Sequence, residues 1–183
     1  VMTEAQYFDI LEVATPPSES YGVEPGDEMV VYMKNENDYQ PLRTFTYGAD
    51  DRWTTPSPLY WVDIVNDPIE LRASLTPREP AAHETQLPDI ILAQDLSVRR
   101  NRAANFIFNH VGSRVVVELR STVYSQEELN AATILLPDYF TGGREENATF
   151  IPGNTRQNVI VDRTNPQDQF AIIQPQAISP GGN

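Results

Sequence analysis

The chain has 183 residues, no cysteine, 15 prolines and 9 glycines, and its 26 acidic against 13 basic side chains give a formal net charge of −13. That length suits one domain able to bury most of its apolar surface unaided. The missing cysteine excludes a disulfide framework, cysteine-ligated metal and a thiol nucleophile. The charge is uneven: residues 1–98 hold 18 acids and 5 bases, residues 99–183 hold 8 of each. An acidic first half argues against nucleic acid or an anionic membrane as partner, since both require cationic surface. No apolar run approaches the ~20 residues that cross a bilayer as a helix, and no signal peptide is visible, as in a mature chain.

Prolines spread from Pro16 to Pro180 leave little room for long helices. The segments between them are short and rich in Val, Ile, Tyr and Phe, the pattern of an all-β domain. Residues 6–14 (QYFDILEVA) alternate, with apolar side chains on both faces. Residues 15–21 are a Pro-rich connector. Strands are predicted at 28–34, 42–47, 59–65 and 69–75, with turns at 25–27, 35–38 and 48–52 and a break at 66–68. Residues 76–88 carry three prolines and read as a long loop. A short apolar piece at 89–93 precedes the basic cluster Arg99, Arg100, Arg102, expected at an exposed hairpin tip, with an arginine-specific cut site as the alternative reading. Strands follow at 105–109 and 113–121. Ser125 and Glu128 form a Ser-x-x-Glu capping box, so 125–132 should make one or two helical turns. Strands at 132–136 (ending at Pro137), 147–151, 158–161 and 170–173 complete the chain. Ten or eleven strands exceed what one sheet comfortably holds, so two packed antiparallel sheets are expected, with one short helix.

Few residues suggest chemistry. His83 and His110 are the two histidines, 27 positions apart, which suits neither a metal site nor a Ser-His-Asp triad without its G-x-S-x-G elbow. His83 is expected in solvent and His110 on a buried backbone group. Carboxylate pairs are too numerous to single out an acid/base couple. No glycine-rich phosphate loop and no calcium loop is present. Asn147-Ala148-Thr149 matches a glycosylation sequon. Trp53, Tyr60 and Trp61 lie close in sequence and could stack on sugars if exposed, giving a carbohydrate-binding alternative; Trp in a sheet is more often core. The reading is therefore no enzyme, no cofactor and no metal.

Five motifs occur in register across residues 8 to about 176. Gly26-Asp27-Glu28-Met29-Val30-Val31-Tyr32 is similar to a "GD-x-hydrophobic-x-hydrophobic-Tyr" strand opening. Trp53-Thr54 with Leu59-Tyr60-Trp61 resembles a "W-T … hydrophobic-x-W" pair, and Asp89-Ile90-Ile91-Leu92-Ala93 a "D-hydrophobic-L-x-A" segment. The run Phe106, Phe108, His110, Ser113, Val115, Val117, Leu119 resembles an "F-x-H-x-L-S-x-hydrophobic" strand pair. Residues 170–176 (FAIIQPQ) resemble a closing "aromatic-x-I-hydrophobic-x-PQ" strand. Together they resemble the fimbrillin-like (Mfa-like) pilin family of Bacteroidales. The resemblance implies a transthyretin-like, Greek-key β-sandwich over residues 1–176, and a linker at 177–183 toward a second sandwich. It implies a non-catalytic, structural or adhesive subunit of a cell-surface fimbria, exported as an outer-membrane lipoprotein precursor. Its partners would be other fimbrial subunits, joined by strand addition, and possible surface receptors. The docking strands would be the first, through Phe8, Ile10, Leu11 and Val13, and the last, through Phe170, Ile172 and Ile173. In polymerising members an arginine-specific protease releases the first strand. Here the first basic residue is Lys34, so either the subunit is an accessory, tip or anchor component or its maturation uses another site or protease; residues 6–14 are expected to stay paired.

Overall fold

The computed structural model describes residues 10–15, 22–78, 80–165 and 168–176. The fold is an all-β sandwich built mainly of antiparallel strands, with one short α-helix among the described residues. Its strands are β1 (Val13–Ala14), β2 (Glu28–Asn35), β3 (Asp38–Tyr47), β4 (Trp53–Thr54), β5 (Ile69–Leu75), β6 (Ile91–Val98), β7 (Ala104–Asn105), β8 (Phe108–His110) and β9 (Ser113–Val116). Helix α1 (Gln126–Ala131) follows, then β10 (Leu135–Thr141), β11 (Arg144–Glu146), β12 (Thr149–Ile151), β13 (Thr155–Ile160) and β14 (Phe170–Ile173). Contacts group the chain into two compact units. The first draws on Val1–Arg78, Ile91–His110 and Glu146–Thr149; the second draws on Glu79–Ile90, Val111–Glu145 and Phe150–Asn183. The expected linker at 177–183 lies outside the described residues.

The first unit is built on a six-stranded antiparallel sheet, β4-β3-β2-β5-β6-β8. Strand alternation sorts its side chains. Met29 and Val31 of β2 and Ile69, Leu71, Ala73 and Leu75 of β5 share the buried face. Tyr32, Val30 and Leu92 join a smaller cluster with Tyr39 and Ala148. The main core is closed by residues that are not in the sheet: Leu11, Val13, Leu59, Trp61, Ile64, Ala104 and Phe106. Arg78 clamps the start of β2. Its Nε donates to Asp27 Oδ1 at 2.9 Å and one Nη to Oδ2 at 2.7 Å, and that Nη also reaches the Gly22 carbonyl.

The second unit contains two strand pairs, β10-β13 and β9-β14, around Val159, Val161, Ala171 and Ile173. Helix α1 buries no residue, so its ends hold it. The predicted capping box is formed: Ser125 Oγ accepts from the Glu128 N–H, and the Glu128 carboxylate accepts from the Ser125 N–H at 2.8 Å. At the other end Arg163 donates to the Leu129 carbonyl at 2.6 Å and to that of Ala132, satisfying groups the helix leaves open.

Several expectations are corrected, each for a physical reason. The strand expected at 59–65 is instead a bridge at Tyr60 to Ile10 and a 3-10 turn at Trp61–Asp63. Not every ladder is antiparallel, because β1 and β7 run parallel. The piece at 89–93 is the front of β6, which continues to Val98. A register shift opposite Leu71 and Ala73 moves its inward residues from Ile91 and Ala93 to Leu96 and Val98, which breaks the sequence alternation. Strand β10 does not stop at Pro137. Its ladder skips from Leu136 to Tyr139, so the proline, which has no N–H to give, sits in a bulge with Asp138 at φ 60°. In the expected strand 113–121 only Ser113–Val116 is ladder-paired.

Gly153 lies where a Cβ would fall 1.8 Å from the Thr141 carbonyl oxygen. Gly153→Ala is therefore expected to cost about 3 kcal/mol or more in chemical denaturation, since backbone must move to admit it. Gly22→Ala, with nothing within 4 Å of the added methyl, should stay within about 0.5 kcal/mol of the parent.

Candidate docking strands and their edges

The first docking strand is short but bonded on both sides. The Leu11 N–H donates to the Leu59 carbonyl at 2.8 Å. The Ala104 N–H donates to the Glu12 carbonyl at 2.8 Å, and the Phe106 N–H to the Ala14 carbonyl at 2.7 Å. Residues 10–15 thus run between two neighbours, antiparallel to one at Tyr60 and parallel to β7 at the other. Leu11 is 1% exposed and Val13 is buried, while Ile10 is half-buried. The alternation put Leu11 and Val13 on one face, and that face is the core. Phe8 lies outside the described residues.

The closing strand forms where expected, Phe170–Ile173, and pairs with β9. Ala171 and Ile173 are buried; Phe170 and Ile172 are half-buried, with the Arg114 guanidinium 4.3 Å over the Phe170 ring. Its other edge is occupied by the chain itself. Phe170 exchanges both backbone bonds with Asp162, at 2.7 and 3.1 Å. Ile172 gives its N–H to Gln86 Oε1 at 3.4 Å and takes the Leu87 N–H on its carbonyl at 3.0 Å. The same short segment satisfies β13 through Thr85 and Gln86. Thr85 Oγ1 accepts from the Ile160 N–H at 3.2 Å, and Gln86 Nε2 donates to the Ile160 carbonyl at 2.7 Å. Thr85-Gln86-Leu87 therefore joins two strand edges, a role hidden inside a Pro-rich segment read as a loop.

Two further glutamines act alike. Gln174 accepts the Gly153 N–H at 3.0 Å and donates to its carbonyl at 2.9 Å, and Gln176 accepts the Phe140 N–H at 2.9 Å. They flank Pro175 in the PQ segment, where the amide side chain supplies the donor and acceptor that a missing neighbour strand would have supplied.

The aromatic trio does not form a stacking platform. Trp61 is fully buried and Trp53 is 8% exposed, its Nε1 donating to Thr15 Oγ1 at 3.1 Å; Tyr60 is half-buried. The carbohydrate reading at these three residues is corrected on that ground, because core packing has taken both indole faces. Arg99–Arg102 form an exposed turn closed by an Arg102 N–H to Arg99 carbonyl bond, and Arg100 also donates to the Trp61 carbonyl at 3.1 Å. His83 is half-buried rather than fully in solvent, and His110 is exposed at the end of β8 rather than buried. Among the described residues no group of three His, Asp or Glu side chains could hold a metal ion, and no helix is long and apolar enough to cross a membrane.

The perturbed carboxyls are structural. The Arg78 hydrogen bonds hold Asp27 below the usual carboxylate range, against a desolvation penalty, with help from the Glu24 N–H. Arg72 does the same for Asp95, and the Ser125 backbone and hydroxyl do it for Glu128.

No protein-family profile matches the chain, and no curated protein matches it. Its fold is similar to that of a solved structure from Bacteroides uniformis, a protein provisionally assigned to cell adhesion. The TM-score is 0.63 at 16% identity, over 92% of this chain and 75% of that one.

Gln86→Ala is expected to lower stability by about 2 kcal/mol, since two hydrogen bonds are lost and the Ile160 carbonyl and Ile172 N–H are stranded. Deuterium uptake should rise at Ile160 and Ile172 before it rises in β2. The Asp27 contribution has a fixed sign. A depressed folded pKa stabilises above the unfolded value of about 3.9 and is lost as pH falls through the folded one. Asp27→Asn should therefore cost about 1–2 kcal/mol at pH 7, and the gap between the two unfolding curves should narrow steadily below about pH 4.

Proposed function

We propose that the protein is a non-catalytic subunit of a cell-surface fimbria, structural or adhesive, joined to its neighbours by β-strand addition. The observation that carries the reading is the position of residues 10–15. They lie between two segments, bonded to both, and supply Leu11 and Val13 to the core. Removing them leaves the Leu59 carbonyl and the Ala104 and Phe106 N–H groups open beside an apolar slot. A strand from another subunit that repeats the alternation restores both the bonds and the burial. The motif resemblance supports a fimbrillin-like subunit, and the similarity in fold to a Bacteroides protein assigned to cell adhesion supports a surface role. Export as a lipoprotein precursor to the outer membrane belongs to the same reading.

The first strand is retained in this subunit unless a protease other than a basic-specific one acts. The first cleavable basic residue, Lys34, lies inside the β2 ladder and pairs with Glu70 at 2.7 Å. An accessory, tip or anchor position suits a subunit that keeps its own strand. No observation favours a second reading built on Trp53, Tyr60 or Trp61.

Protein lacking residues 1–15 is expected to be less stable by several kcal/mol, from the loss of two buried side chains and three backbone bonds. A synthetic peptide of residues 6–15 should restore most of that stability. A peptide with Leu11 and Val13 exchanged for Asp should not. Equal stability with and without the first 15 residues would remove strand addition at this slot. Peptide mapping of the folded protein after brief trypsin treatment should still find residues 1–34 attached.

A further inference from the structure

Strand β3 is the outer strand of its sheet for most of its length, because β4 pairs only Thr46 and Tyr47. After Thr54 the chain leaves the sheet. The splay between residues 55–57 and the middle of β3 opens a groove of about 430 Å³ lined by Pro41, Arg43, Thr44, Thr55, Pro56 and Ser57, among others. Two polar atoms of these lining residues are buried from solvent and have no hydrogen-bond partner: Arg43 Nε and Thr55 Oγ1. A buried donor without a partner destabilises a fold unless something else meets it. Lys34, Arg72 and Arg78 of the same unit each sit against a carboxylate, Glu70, Asp95 and Asp27 respectively. Among the described residues no carboxylate pairs with Arg43, although the chain's net charge is −13.

From this pairing of an uncompensated guanidinium with an unpartnered hydroxyl in one groove, we propose that the groove binds a carboxylated sugar, a uronic or sialic acid unit of a glycan. The Arg43 fork meets the carboxylate, as guanidinium geometry favours. The Thr55, Thr44 and Ser57 hydroxyls, each donor and acceptor at once, meet sugar hydroxyls. The C–H faces of Pro41 and Pro56 wall the ring, and the volume suits one or two sugar units. An acidic peptide is the other carboxylate source, and β3 is built against it. A peptide would add along the edge, yet Pro41 gives that strand no N–H at its position. The ladder also shifts register between Val31 and Tyr32, opposite Arg43 and Pro41, and both devices blunt an edge to strand pairing. The site is distinct from the first-strand slot and goes beyond the fimbrial reading, so either can fail alone.

The test is titration of the full chain, by calorimetry and by NMR shift mapping, with N-acetylneuraminic acid, glucuronic acid, N-acetylglucosamine, glucose and the tripeptide Gly-Glu-Gly. At least one acidic sugar is expected to bind at least ten-fold tighter than either neutral one, with shifts at Arg43 and Thr55; which acid binds tighter names the source. Arg43→Gln should weaken that binding about ten-fold or more, Arg43→Lys less, and Thr55→Val about three-fold or more. Thermal unfolding of each variant checks that it folds; if Arg43→Gln does not, Thr55→Val and Arg43→Lys decide. No binding by either acid, equal binding of neutral sugars, tighter binding of the peptide, or an affinity unchanged in all folded variants overturns the proposal.

Discussion

The segment at residues 10–15 is the constraint on which the first unit depends. Three backbone hydrogen bonds tie it to its two neighbours, and Leu11 and Val13 complete a core that Leu59, Trp61, Ile64, Ala104 and Phe106 also help to close. Burying two such side chains is worth roughly 3–5 kcal/mol, a large part of the ~5–15 kcal/mol that holds a typical domain. A segment so short cannot be stable alone, and a core so placed cannot be complete without it. The two facts together make the segment both necessary and replaceable in kind: any strand with apolar residues at alternate positions and a free backbone meets the same requirement. On the proposed reading, this is the physical link between an ordinary-looking sandwich and strand addition.

The second unit solves the same problem with side chains. Its two strand pairs present edges to one another, and the gaps are filled by Thr85-Gln86-Leu87, by Gln174 and by Gln176. A glutamine amide carries one carbonyl and one NH₂ group and so imitates a peptide unit. Gln86 is 6% and Gln174 is 3% exposed, a burial that would be costly for an unpartnered amide and is acceptable here because each meets backbone groups, Gln86 on β13 and β14 and Gln174 at Gly153 between β12 and β13. The edges of β13 and β14 are met within this unit, whereas the outer strand β3 of the first unit is left to a proline and a register shift. Different edges of one chain are thus covered by side chains, blunted, or bonded to a short strand of the chain itself.

Much of this was legible in the sequence. The all-β class followed from the proline spacing and the β-rich segments between, β14 fell on its predicted bounds, and the Ser125–Glu128 box placed α1 to within a residue. What escaped did so where local pattern and tertiary structure part. In β6 and β10 a bulge shifts the inward phase, so alternation reads as an ending. The Leu59–Trp61 stretch has strand-like composition, but its side chains are fixed by the core beneath them, which imposes a 3-10 turn. The bridging glutamines give no sequence signal, because an amide side chain is polar and uninformative until the strands on either side are known. The candidate site divides likewise. Alternation assigned Leu11 and Val13 to one face, while the meeting of Arg43 with Thr55 depends on where the chain leaves β4.

The most direct test of the central claim is native-state hydrogen exchange at the amides of Leu11, Ala104 and Phe106, compared with those of Val31 and Ala73 in the centre of the sheet. If residues 10–15 are an exchangeable strand, the first three open together at a free energy well below global unfolding, and the central amides keep their protection. If all five exchange only through global unfolding, the first strand is a fixed part of the core and assembly through its slot is ruled out.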